Sequence, residues 1–147
     1  MPRIERTADV VWEGNVARGN GSIAGGSGAF TGLPFSLPSR IGNPDGKTSP
    51  EELLAAAHAG CFTMSLANEL TTAGTPPERL EVRCVVTMDE VEGKGHQIVH
   101  SELQADGTVP GCDEAAFAQA AEAADAGCPF SALIRASATV AVSATLS

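Results

Sequence analysis

The sequence has no tyrosine, a single tryptophan (Trp12) and only 4 % aromatic residues. The abundant Ala and Gly point to closely packed helices rather than to a core built on large rings. Bases are scarce: nine Lys and Arg stand against eighteen Asp and Glu, a formal net charge of −9. The nine are scattered, without run or stripe. Neutralising nucleic-acid phosphates needs clustered Lys and Arg, so no nucleic-acid partner is expected. The same deficit argues against an anionic membrane surface. No apolar run reaches the ~18 residues of a membrane-spanning helix. The longest candidate, 53–70, is interrupted by His58, Ser65, Asn68 and Glu69. The opening Met-Pro-Arg-Ile-Glu-Arg lacks the apolar core of a signal peptide. A cytoplasmic location is expected, and there four cysteines would not form a static disulfide framework. Also missing are Cys-x-x-Cys, the Gly-x-Ser-x-Gly of a serine hydrolase and the Gly-Lys-Ser/Thr that a nucleotide loop would need after the Gly-rich 20–28.

What is present fits one domain over 1–147. Apolar residues make up 43 % and charged residues 18 %, a globular balance. Residues 5–13 read as a strand, and the Gly/Asn/Ser-rich 14–32 as a hairpin with short strands near 15–23. Residues 35–37 suit another short strand, and 43–47 a turn. Ser49-Pro50-Glu51-Glu52 predicts a helix start, with Ser49 at N-cap, Pro50 at N1 and Glu52 closing a capping box. That helix should run to about Thr72 and stop at Gly74; being apolar on nearly all sides, it is expected to be central and buried. Leu80–Glu90 places Val82, Cys84, Val86 and Met88 at period two, a half-buried strand. A second strand over 96–104, a helix over 113–126, a short third helix over 129–134 and a final strand over 136–146 follow. The order predicts an α+β domain with an antiparallel sheet around two helices.

The cysteines carry the chemistry. Cys61 lies mid-helix, too far from the N-terminus for the helix dipole to help. In apolar surroundings its thiol should have a raised pKa and be inert unless a cation is supplied. His58, at i−3, and Arg40, in the loop before the helix, are the local candidates. Glu51 is the carboxylate best placed to clamp Arg40, because Glu52 serves the capping box. Ten residues of helix separate Glu51 from Cys61, about 15 Å of rise. A Cys61–Arg40–Glu51 site is therefore expected to close across a homodimer interface. Cys128 precedes Pro129, which places it at the N-cap of the third helix, where thiol pKa values are lowered. Cys84 reads as core, and Cys112 sits in a turn with no partner. His58 with Cys61, or His96 with His100, could ligate a metal, but the paired spacing of zinc sites is missing.

The stretch Ser-Pro-Glu-Glu-Leu-Leu-Ala-Ala-Ala-His-Ala-Gly-Cys-Phe-Thr-Met-Ser-Leu (49–66) resembles the signature helix of the osmotically inducible protein C/organic hydroperoxide resistance family. Val109-Pro-Gly, the helix after it and Cys128-Pro-Phe-Ser resemble the family's second-cysteine segment. Trp12-Glu-Gly and Pro38-Ser-Arg40 fit as well. The Ala-Ala-His-Ala around His58 looks more like the osmotically inducible branch. The resemblance implies an intertwined α+β homodimer, its antiparallel sheets wrapped around two central helices. It implies a thiol peroxidase acting on organic hydroperoxides and, more weakly, on hydrogen peroxide, with an external dithiol or lipoyl-type reductant and no cofactor or metal. Cys61 would be the peroxidatic and Cys128 the resolving cysteine, with Arg40 activating Cys61 and Glu51 orienting Arg40. Arg18 is the substitute for Arg40. Two other readings stay open: a non-catalytic binding or structural protein of the same fold, and a cysteine acyl transferase using His58 as base.

Overall fold

The computed structural model describes residues 2–147. They form two compact units, one reaching to Pro50 and one spanning Glu51–Ser147.

In the first unit β1 (Ala8–Glu13), β2 (Asn20–Gly25) and β3 (Leu33–Phe35) make an antiparallel sheet in that order. Gly21 pairs with Trp12 on one side and Phe35 on the other. The Phe35 ring fills the space that a Cβ at position 21 would need, so this close approach requires glycine. It also lets the Trp12 and Phe35 rings meet at 5.5 Å. Every residue of β1 is exposed. Ile23 is the sole buried hydrophobic residue described in this unit.

A short helix α1 (Leu37–Ile41) follows. Ser36 accepts from the Ser39 backbone N–H, and the Ser39 hydroxyl accepts from the Ser36 N–H, a reciprocal capping box with Pro38 in the first turn. Two expectations are corrected here. The strand stops at Phe35 because Ser36 turns to cap a helix, and Arg40 stands in the last turn of that helix rather than in a loop.

The second unit holds α2 (Pro50–Thr72), β4 (Arg79–Val91), β5 (Gly95–Thr108), α3 (Glu114–Ala126), α4 (Pro129–Arg135) and β6 (Thr139–Leu146). Helix α2 starts directly after Ser49, as its sequence predicts. It ends where Gly74 turns at φ +88 and the Thr75 N–H caps the Leu70 carbonyl at 2.9 Å. The strands order β4-β5-β6. β4 and β5 pair antiparallel, with a register slip between Thr87 and Met88. β5 and β6 pair parallel, which corrects the all-antiparallel expectation. The reason is the intervening α3 and α4: two helices are long enough to carry the chain back to the starting end of the sheet.

The core lies between α2, the inner face of the sheet and α3. Phe62, Leu66 and Leu70 of α2, four residues apart, pack with Leu103 and Ala105 of β5 and Phe117, Ala121 and Ala124 of α3. Helix α3 sits close to the sheet because Gly107 has no Cβ; one would come within 2.7 Å of the Phe117 ring. Helix α2 is not buried all round, contrary to the expectation. Its opposite stripe, Ala56, Gly60, Met64 and Asn68, is exposed, with Met64 at 77 %. No helix among the described residues is long and apolar enough to cross a membrane.

Candidate active site

Cys61 lies one position before the buried Phe62, so it flanks the core stripe of α2 and is half-buried. Cys128 is fully buried at the N-cap of α4, in extended backbone, with Pro129 opening the helix as the sequence predicts. Its carbonyl accepts the first α4 bond, from the Ala132 N–H at 3.1 Å. The two helices bring the thiols near enough for Cys128 to act on the acidity of Cys61. Burial pushes the Cys61 thiol above its ordinary pKa, and the neighbouring Cys128 pushes it further; the Phe130 backbone bond opposes them. The raised thiol pKa expected in apolar surroundings is the direction found here. All four cysteines are free thiols.

His58, one turn before Cys61, is fully buried. Its Nδ1 meets the Ser101 hydroxyl of β5 at 2.7 Å, and its Nε2 meets the Ser131 hydroxyl of α4 at 2.8 Å. Both ring nitrogens are thereby engaged, leaving none to act as base on Cys61. The acyl-transfer reading loses its base, and His58 is also an unsuitable cation. Burial lowers its pKa; Asp125 opposes this in part and Arg135 adds to it. Asp125 and Arg135 are themselves an ion pair linking α3 to α4, and the second Asp125 carboxylate oxygen is buried without a partner.

Cys84 packs on the core from β4, as read from its strand, and also contacts the Ser101 hydroxyl at 3.2 Å. Burial raises its pKa, with Ser101 countering. Cys112 points to the carbonyl of Asp113. His100 bonds the Thr139 hydroxyl at 2.6 Å, a tie between β5 and β6. Among the described residues no group of three His, Cys, Asp or Glu could hold a metal ion. Ser101 and Ser131 carry no local sequence signal: each is a serine in an ordinary strand or helix, and its partner is 43 or 73 residues away.

In the first unit Arg40 borders a hollow of about 340 Å³ whose other walls are Trp12, Val16, Phe35, Ser36 and Leu37. Arg18 lines a different and more polar hollow, with Asn20, Ser39, Asn43, Asp45 and Lys47. Glu51 stands in the first turn of α2.

A half-buried thiol paired with a buried one, held by two helices on a mixed sheet, defines a dithiol class of site. The OsmC-like protein family model matches residues 42–143. The chain is 35 % identical to Peroxiredoxin OsmC of Escherichia coli over 93 % of its own length and 94 % of that protein. Two solved structures share the fold. One is an organic hydroperoxide resistance protein OsmC from Legionella pneumophila, with TM-score 0.77 and 22 % identity over 97 % of this chain and 99 % of the other. The second is the organic hydroperoxide resistance protein OhrB of Bacillus subtilis, with TM-score 0.75 and 24 % identity over 95 % and 98 %. The chain belongs to the OsmC-like family.

Proposed function

We propose that this protein is a cysteine-based peroxidase that reduces organic hydroperoxides to alcohols. The observation that carries the reading is the thiol pair: α2 and α4 set Cys128 near enough to Cys61 to raise its pKa, in a member of the OsmC-like family. The relative from E. coli is named a peroxiredoxin.

Cys61, as thiolate, attacks the distal peroxide oxygen, the O–O bond breaks, and the alkoxide leaves as alcohol with a proton. The product is a sulfenic acid on Cys61. The Cys128 sulfur then attacks the Cys61 sulfur, closing a disulfide and releasing water. An external dithiol, of small-molecule or lipoyl type, reopens it. The cycle asks for no metal or cofactor.

Within its own unit the Cys61 thiol is pushed up, so forming the thiolate at neutral pH requires a cation. Arg40 fills that role and Glu51 holds its guanidinium, which offers a fork of donors to both. Arg40 is favoured over Arg18 because it stands at an apolar hollow, where an organic tail is desolvated beside the charge. That hollow favours organic hydroperoxides over hydrogen peroxide.

The site is completed by a second copy of the chain, in a homodimer of single 1–147 domains. Support comes from α2. The space beside Gly60 where a Cβ would stand is open, and Met64 on the same stripe is exposed. A mid-helix glycine costs about 1 kcal/mol against alanine, and Ala56, Gly60 and Met64 together give α2 a continuous exposed stripe of small and apolar residues that a second copy would cover. The location expected for such an enzyme is the cytoplasm.

Turnover of tert-butyl hydroperoxide and of hydrogen peroxide with a small dithiol tests the proposal. Both should be consumed, the organic substrate faster; consumption of neither would remove the reading.

A further inference from the structure

Helix α2 carries His58 and Cys61 three residues apart, about one helical turn. Helix α4 carries Cys128 at its N-cap and Ser131 three residues later. The two pairs face each other rung by rung. His58 Nε2 meets Ser131 Oγ at 2.8 Å, and one turn on Cys61 has Cys128 as its neighbour. The imidazole rung is the firmer of the two. His58, Ser131 and Ser101 are all fully buried, and Nδ1 is anchored on β5 by Ser101 at 2.7 Å. Burying an imidazole is unfavourable unless both nitrogens are paired, and a leucine would fill a core position without that requirement. A polar strut between the two cysteine-bearing helices therefore calls for a role that an apolar side chain could not fill.

We propose that His58 is a positioning residue for disulfide closure: its bond to Ser131 fixes the start of α4 at the spacing from which the Cys128 sulfur reaches an oxidised Cys61. The inference rests on the peroxidase reading for the origin of that oxidised form. The step it governs is balanced. Cys128 gives up its proton and its sulfur bonds to that of Cys61; the S–O bond of the sulfenic acid breaks, and the oxygen leaves as water.

Three variants of the full-length protein separate the strut from the general packing of His58. His58→Gln keeps a hydrogen-bonding group at the reach of Nε2, towards Ser131. His58→Asn keeps one only at the reach of Nδ1, towards Ser101. Ser131→Ala removes a single atom from a helix turn and decides the matter if a His58 variant does not fold. Equilibration in graded ratios of reduced to oxidised dithiothreitol, with no peroxide present, gives the effective concentration of the Cys61–Cys128 pair. Rapid mixing with tert-butyl hydroperoxide gives the rates of Cys61 oxidation and of disulfide closure separately.

The expected result is a fall of about tenfold in effective concentration and closure rate for His58→Asn and Ser131→Ala, the loss of one buried hydrogen bond. Sulfinic acid should then accumulate at lower peroxide, the rate of first oxidation should stay unchanged, and His58→Gln should restore closure. Wild-type closure in His58→Asn and Ser131→Ala would overturn the proposal. So would an equal loss in Gln and Asn, or a loss confined to the first oxidation. A wild-type protein inert to peroxide would sink the peroxidase reading, while the dithiothreitol equilibrium would still decide the strut.

Discussion

The two units of the chain differ in how they are held. From Glu51 onward, one helix face, a mixed sheet and α3 close around Phe62, Leu66, Leu70, Leu103 and Phe117. Up to Pro50, three short strands and one turn of helix bury a single large hydrophobic, Ile23, and leave all of β1 exposed. A sheet of three short strands needs a packed hydrophobic face to be stable. The first unit has no such face of its own, while the second does. The proposed chemistry divides along the same line: the thiols sit in the second unit, and Arg40 with its apolar hollow in the first.

Substitutions on the two sides should break this division differently. The largest effect belongs to the thiol side: Cys61→Ser abolishes peroxide turnover in a dithiol-coupled assay. Arg40→Met, on the other side, lowers kcat/KM by about 10²-fold, the loss of one charged donor at a reacting centre; a variant as active as wild type would reassign the cation. In urea unfolding, Phe62→Ala costs about 3–5 kcal/mol and Ile23→Ala about 2 kcal/mol. If the proposed second copy covers that unit, only the Ile23→Ala loss should shrink as protein concentration rises. Equal, concentration-independent losses would dissolve the comparison. Trp12→Ala lowers the preference for tert-butyl hydroperoxide over hydrogen peroxide by about tenfold, read from paired kcat/KM values.

The smallest effect is one of pH. His58 has a folded pKa below its ordinary 6.5, first through burial, with Asp125 opposing and Arg135 assisting. As pH falls, the unfolded chain takes up this proton before the folded one does. The stability tied to neutral His58 is therefore complete above pH 6.5 and is lost as pH drops through the folded value. Urea midpoints measured above and well below 6.5 should diverge in the wild type and converge in His58→Gln.

Much of the second unit was legible in the sequence because its signals are local. The Ser49-Pro50 start and Gly74 stop of α2, the period-two run from Leu80 to Met88, and Pro129 after Cys128 each specify an element within a few residues. The capping box Ser36-x-x-Ser39 was equally local and gives α1, although an apolar Phe35-Ser-Leu37 reads first as a strand. Non-local choices were not legible. Nothing in Thr139–Leu146 says that it pairs parallel to β5; that follows from the length of the crossover before it. Nor does any neighbour of His58 reveal that its partners are Ser101 and Ser131, which the sheet and α4 deliver from far along the chain. The raised pKa of Cys61 was foreseeable from its apolar helix, whereas having Cys128 as its neighbour is a product of packing.

The parallel pairing of β6 has a consequence in time. Helix α2 and the β4–β5 hairpin are assembled from neighbouring residues, but the crossover carrying Cys128 is fixed only when β6 docks beside β5, a long-range pairing of the kind that forms slowly. During synthesis from the N-terminus, the first thiol stands in a finished helix before the second has a defined place. On the proposed mechanism, any Cys61 oxidised in that interval would have no resolving thiol in reach and would proceed to sulfinic acid or to a mixed disulfide. Thiol labelling of stalled nascent chains, with and without 139–146 outside the ribosome, would measure that interval. On that mechanism, the last strand of the sheet sets the moment at which an oxidised Cys61 could be resolved.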